Sequence, residues 1–442
     1  MHTIHKFRSI LWHGLCHKQS LNSGAPKTPF FRNAAVTAAS VGLLLVSLAP
    51  VCAQDIANIT GYFQPTKTPS LLGNLGRSAD VRTSSGKAQK SQTTVTVTES
   101  LSSSLFAEVF QPFGVAVDAS GSVFVSSCDT GCFNSIVSKF APDGTALGAV
   151  ATGGISSDPG QYLATDPVTG AIYDLLSDGT LLAIDPNTGA IAPVIDLRQR
   201  PIDTSSIFDI ASGTTDNFGG LILPESSDYG DLSILQNGDV TYLFVTALSA
   251  QTLPYVIRLR LQGGEIVEAK VLVASRASTA GGVNLNRGVA VNAQKVVLTT
   301  LPIANGLGTF DVPVAFVADF EPVNATSETI VVFGETDLAS SGMTADPAGN
   351  FYVVTNSVGS AALGLPGGSL VVISPEFIVL NAFVYGGATS TTGDVAVNSL
   401  DGTAYLTARN ENAIVAVKGL LSTESTRSTG SSDGQKRLSL TR

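Results

Sequence analysis

Set aside the first 53 residues and the chain has no histidine and no tryptophan. His2, His5, His13, His17 and Trp12 all precede that point, as do Cys16 and Cys52, two of the four cysteines. Without an imidazole there is no Ser-His-Asp or Cys-His nucleophile–base pair. Zinc and non-haem iron sites built on histidine are excluded on the same ground. The two remaining cysteines, Cys128 and Cys132, are too few for a thiolate zinc site. Their CxxxC spacing is not that of a CxxC redox pair. In an oxidising compartment they are expected to form a disulfide across the loop CDTGC. Basic residues are also scarce, 25 against 35 acidic. Residues 1–53 carry five of the basic and none of the acidic ones, so the remainder has a net charge of −15. Such a surface repels phosphate backbones and anionic lipid, which argues against nucleic-acid or polybasic membrane binding.

Residues 1–53 have the layout of an export signal. Lys6, Arg8, Lys18, Lys27 and Arg32 precede the apolar run AAVTAASVGLLLVSLAPV, and Val51-Cys52-Ala53 supplies small residues for cleavage. The run is short for a retained span, and Pro50-Val51 fits a lipid-modified Cys52 poorly. The mature protein is therefore expected to be secreted or periplasmic, with no membrane insertion after signal cleavage. Residues 54–92 are polar and aperiodic and read as a flexible lead-in; residues 421–442 read as a disordered tail.

Residues 93–420 contain a repeat. Six segments join two apolar strands through an Asp/Asn and Gly turn: GVAVDASGSVFVSS from Gly114, YLATDPVTGAIYDLL from Tyr162, LSILQNGDVTYLFVTAL from Leu232, GVAVNAQKVVLTTL from Gly288, MTADPAGNFYVVTN from Met343 and VAVNSLDGTAYLTA from Val395. Asp, Asn and Gly tolerate the left-handed backbone of tight hairpins. The fourth copy, with Asn292-Ala293-Gln294-Lys295, lacks the glycine. A third apolar strand and usually a fourth follow each hairpin. Four short antiparallel strands per unit predict an all-β fold, a β-propeller of six four-stranded antiparallel blades. The last unit, ending at Leu420, has only three strands. A strand from residues 93–110 is expected to supply the fourth and close the ring, which removes exposed edges. The segment Arg198–Gly230, with SSIFDIASG and GGLILPES, leaves room for an extra hairpin or a seventh blade.

The stretch PFGVAVDASGSVFVSS followed by SIVSKFAPDGTALG resembles an NHL repeat, and more broadly the six-bladed propellers of senescence-marker and gluconolactonase type. The resemblance implies the fold but not one function, because such propellers serve as scaffolds, receptors and enzymes. The gluconolactonase-like enzymes hold a divalent metal in the channel with Glu, Asn and Asp. Their Glu-Gly-Pro stretch is here Gln111-Pro112-Phe113-Gly114, which weakens the enzyme reading.

In such a ring the second-to-third-strand links and the outer-to-inner crossings share one face. Four of the former look long and Gly-rich: Cys128–Asn134, Ser249–Pro254, Pro302–Val312 and Ser357–Gly368. Phe113, Gln161, Arg287, Met343 and Asp394 precede or open inner strands and are the binding candidates at the channel mouth. Glu225, Asp228 and Asp231 (PESSDYGD) are weak candidates for Ca2+, without an EF-hand-like series of ligands; no other cofactor is expected. The expectation is a monomeric, non-enzymatic propeller whose loop face binds a protein, peptide or glycan. Two alternatives stand beside it: a metal-dependent hydrolase or lactonase using channel carboxylates, and a cell-envelope assembly scaffold.

Overall fold

The computed structural model describes residues 102 to 420 apart from 129–134, 153–161, 167, 277–287, 306–307, 326–329, 333–337, 357–358, 361–362 and 386–391. It is a six-bladed β-propeller. The chain enters through β1 (Ser102–Glu108). Blade 1 is β2 (Val115–Val117), β3 (Val123–Cys128), β4 (Ser135–Phe140) and β5 (Ala146–Thr152). Blade 2 is β6 (Tyr162–Thr165), β7 (Ile172–Leu175), β8 (Thr180–Ile184) and β9 (Ile191–Asp196). A short hairpin follows, β10 (Ile207–Asp209) and β11 (Thr214–Asp216), and then blade 3, β12 (Asp228–Asn237), β13 (Val240–Leu248), β14 (Pro254–Gln262) and β15 (Glu265–Ala274). Blade 4 is β16 (Val289–Val291), β17 (Val296–Asn305), β18 (Gly308–Val317) and β19 (Ile330–Val332). Blade 5 is β20 (Ser340–Ala345), β21 (Phe351–Thr355), β22 (Ser369–Ile373) and β23 (Val379–Val384). Blade 6 has β24 (Thr392–Val397), β25 (Ala404–Ala408) and β26 (Ala413–Lys418), and its outer strand is β1.

The closing strand comes from SSSLFAE, antiparallel to β26 with Ser102 opposite Lys418; TTVTVTES lies outside the described residues. Phe106 fixes the closure, with its ring 4.7 Å from Tyr405 in blade 6 and 6.1 Å from Phe140 in blade 1. Strands such as β3, β21, β22 and β25 are buried along their whole length, because both faces of a blade are covered by its neighbours. Phe124 and Val137 of blade 1 pack with Leu163 and Ile172 of blade 2, and Tyr352 and Val372 of blade 5 with Leu406 and Val415 of blade 6.

The repeated Asp or Asn caps its turn. Asp118 accepts the amides of Ser120 and Ser122 at 2.8 and 2.9 Å, and Asp346 and Asn398 accept those of Asn350 and Leu400. Gly121 and Gly349 then take positive φ values of 81° and 93°. The fourth copy builds the same turn without the glycine: Lys295 is held at φ 65° and its amide bonds to Asn292.

The irregular segment becomes an extension of blade 3 and not a seventh blade. Strand β10 pairs in parallel with β15, and β11 pairs with β10; GGLILPES forms two 3-10 turns in place of a strand. Buried Arg258 ties this blade to the next. Its Nη1 donates to the carbonyls of Ala318 and Phe320 at 3.1 and 2.9 Å, while Nε and Nη2 bind Glu268 and Glu321. Lys270 also reaches Glu321, at 2.7 Å. One expected loop is corrected. Across Pro302–Val312 the ladder between β17 and β18 continues to Asn305 opposite Gly308, so this segment is mostly an extended hairpin. No helix among the described residues is long and apolar enough to cross a membrane; the apolar run at 34–51 lies outside them.

Candidate functional site at the mouth of the channel

Each inner strand has a free edge toward the channel axis, so its amides need acceptors there. Two aspartates on opposite blades provide them. Asp231 and Asp394 each sit at a break in register at the start of an inner strand, β12 and β24. The amide of Asp231 donates to the Thr246 hydroxyl and that of Asp394 to the Thr407 hydroxyl. In both, Oδ1 accepts the next residue's amide, Leu232 or Val395. In both, Oδ2 crosses to the following blade, to the amide of Val289 at 2.8 Å or of Val115 at 3.1 Å. Asp231 reaches one blade further, to the amide of Met343 at 3.0 Å. The arrangement repeats every three blades, a pseudo-twofold axis along the channel.

The inner strands crowd together at this level. A Cβ on Gly342 would stand 2.7 Å from the Cα of Asp394, and one on Gly393 would stand 2.3 Å from the carbonyl oxygen of Phe113. The Asp394 carboxyl therefore lies against Gly342, one residue from the amide that Asp231 binds. Burial, the larger effect, and the charge of Asp394 push the Asp231 carboxyl well up. Burial also lifts Asp394, to about 7, although the amides of Val115 and Val395 favour its ionised form. Like charges this close do not both form readily, so the two carboxyls titrate as a pair.

Register places Tyr162 one residue before Leu163, as Gly114, Gly288, Gly342 and Asp394 precede Val115, Val289, Met343 and Val395. Where three blades carry glycine, blade 2 extends a buried phenol toward the axis. Burial pushes that phenol well up, Asp231 and Asp394 add to the rise, and Arg409 opposes it. Arg409, at the turn between β25 and β26, is half-buried with its guanidinium 4.1 Å from the centre of the Phe113 ring. Burial lowers its pKa.

Of the residues expected at the mouth, Phe113 and Asp394 meet there. Met343 contributes its amide, but its side chain belongs to the core between blades 4 and 5, with Ala290 and Phe351. Gln161 and Arg287 lie outside the described residues. The acidic trio separates: Asp231 is buried on the axis, whereas Glu225 and Asp228 are exposed, Asp228 lying 3.7 Å from Arg198. Among the described residues no three His, Cys, Asp or Glu side chains are grouped to hold a metal ion. Cys128 ends β3; Cys132 lies outside the described residues. Tyr162, Arg409 and the axial role of Asp231 were not anticipated. The shared Gly-Asp-apolar entries, Gly230-Asp231-Leu232 and Gly393-Asp394-Val395, with the Thr-Ala pairs at 246 and 407, were the available signal.

No protein-family model matches the chain, and no curated protein matches it. Among solved structures it is similar to a structural-genomics protein of unknown function from Bacteroides thetaiotaomicron, with TM-score 0.41 and 12% identity over 72% of this chain and 76% of that one. It is also similar to a Penicillium chrysogenum α-L-arabinanase complexed with arabinobiose, with TM-score 0.44 and 10% identity over 72% of this chain and 99% of that one.

Proposed function

We propose that this chain is an exported, monomeric, non-enzymatic propeller of NHL-like type that binds a protein, peptide or glycan ligand at its channel mouth. One observation carries the reading. The two channel carboxylates already accept five inner-strand amides between them. Carboxylates engaged in this way hold the ring together and are poorly placed to ligate a metal or take a substrate proton. A rigid ring with unequal loops on one face is a common setting for recognition. Cys128 and Cys132 pair in this proposal and fix the shape of the first of those loops.

The test is binding of the purified protein to glycan and peptide arrays, alongside a thermal melt with Ca2+ or Mn2+ and then chelator. Array binding with an unchanged melt is expected. A metal-dependent rise in melting temperature, with turnover of lactones or esters, would overturn the proposal in favour of a channel-carboxylate hydrolase. Stable co-purification with envelope material and no array binding would favour the scaffold.

A further inference from the structure

Arg409 is out of pattern for this protein. The sequence has an excess of ten acidic over basic residues, and its other described arginines are engaged. Arg198 lies beside Asp228, Arg200 binds the Ile266 carbonyl, Arg258 and Arg260 bind Glu268, and Arg276 binds Asp216. Arg409 makes neither a side-chain hydrogen bond nor an ion pair among the described residues; its one contact of note is the face of Phe113. Removing a guanidinium from water without a partner is costly, and an aromatic face compensates only part of that cost. It also holds the planar fork in one orientation. The Tyr162 phenol lies within electrostatic reach of it and likewise has no hydrogen bond among the described residues. Two sets of unengaged donors therefore converge on a channel mouth whose carboxylates are already engaged.

We propose that the channel mouth binds the carboxylate group of a ligand, with Arg409 as its bidentate partner, the Tyr162 hydroxyl as a second donor and the Phe113 ring as the platform that orients the guanidinium. This rests on the binding reading above and names the chemistry of the group recognised. A guanidinium fork matches the two oxygens of a carboxylate. A single arginine above Asp231 and Asp394, in an acidic protein, favours a monoanion over a doubly charged phosphate. Two ligand sources carry such a group, an acidic sugar and a peptide C-terminus.

Titration calorimetry on the purified protein separates them. Digalacturonate is compared with its methyl ester, and N-acetyl-trialanine with its C-terminal amide; inorganic phosphate is the competitor. The acid of one pair is expected to bind more tightly than its neutral partner, and which pair responds identifies the source. Arg409→Gln should weaken that acid roughly tenfold or more, and Tyr162→Phe several-fold, as loss of charge-assisted hydrogen bonds requires. Arg409→Lys keeps the charge without the fork and should fall between wild type and Arg409→Gln, which guards against a folding defect in either variant. Equal binding of acid and neutral probes, unaffected by Arg409→Gln, overturns the carboxylate assignment and leaves the binding reading standing. Phosphate binding as tightly as the carboxylates also overturns it. Failure of all four probes, with blank glycan and peptide arrays, overturns both.

Discussion

Replacing Asp174 by asparagine is expected to stabilise the fold at pH 8 and to leave it nearly unchanged near pH 4. Asp174 lies in β7, opposite Leu163 and Leu182. By register it occupies the place of Val125, Val353 and Leu406 in other blades. It is fully buried, and neither carboxyl oxygen has a hydrogen-bond partner. Burial alone lifts it from its ordinary 3.8 to about 7. A folded-state pKa above the unfolded one means that the native chain holds the proton more tightly. That stabilisation is complete below the unfolded value and is lost as pH rises through the folded one. Above the window the ionised group costs about 4 kcal/mol, at 1.36 kcal/mol per pH unit. Asparagine has the same shape and no charge, so the gap between variant and wild type should be about 4 kcal/mol at pH 8 and under about 1 kcal/mol near pH 4. Urea denaturation followed by tyrosine emission or circular dichroism at both pH values measures it. Asp174→Val, the residue of blades 1 and 5, should gain a further ~1–2 kcal/mol from apolar burial. Coincident wild-type and Asp174→Asn curves at pH 8 would refute the argument, because the carboxylate would then be solvated or paired.

Deleting Ser102–Glu108 should remove cooperative unfolding altogether, because β26 then presents an open edge; a deletion variant with unchanged melting refutes the closure. Arg258→Met leaves the carbonyls of Ala318 and Phe320 without that donor and is expected to cost about 1–3 kcal/mol by urea denaturation. Lys295→Gly relieves a positive φ of 65° and should raise stability by about 0.5–1 kcal/mol, visible as a higher melting temperature. Asp231→Asn turns an amide NH2 toward the Val289 and Met343 donors if its oxygen stays on Leu232; a loss of about 2–3 kcal/mol is expected at pH 6, read by the same denaturation assay.

The repeat itself was legible in the sequence, and so was the blade it builds. Asp118, Asp346 and Asn398 are read from their turns because capping is local: the acceptor and its amides lie within four residues. Ring closure was legible for a related reason, since a unit one strand short must find a partner. The departures arise where partners are far apart in sequence. Pro302–Val312 reads as a Gly-rich loop, yet cross-strand pairing to Asn305 and Gly308 extends the ladder. Met343 is one residue of an apolar strand, and only the packing of blade 4 against blade 5 decides that its side chain joins the core. Asp231 reads as a weak Ca2+ candidate beside Glu225 and Asp228, until the ring brings the amides of Val289 and Met343 to it across 58 and 112 residues. Tyr162, Phe113 and Arg409 come from blade 2, the entry crossing and blade 6, and no spacing relates them. The sequence determined which strands form, because that depends on neighbours along the chain. Tertiary structure decided which side chains share the axis, because that depends on where closing a six-fold ring places them.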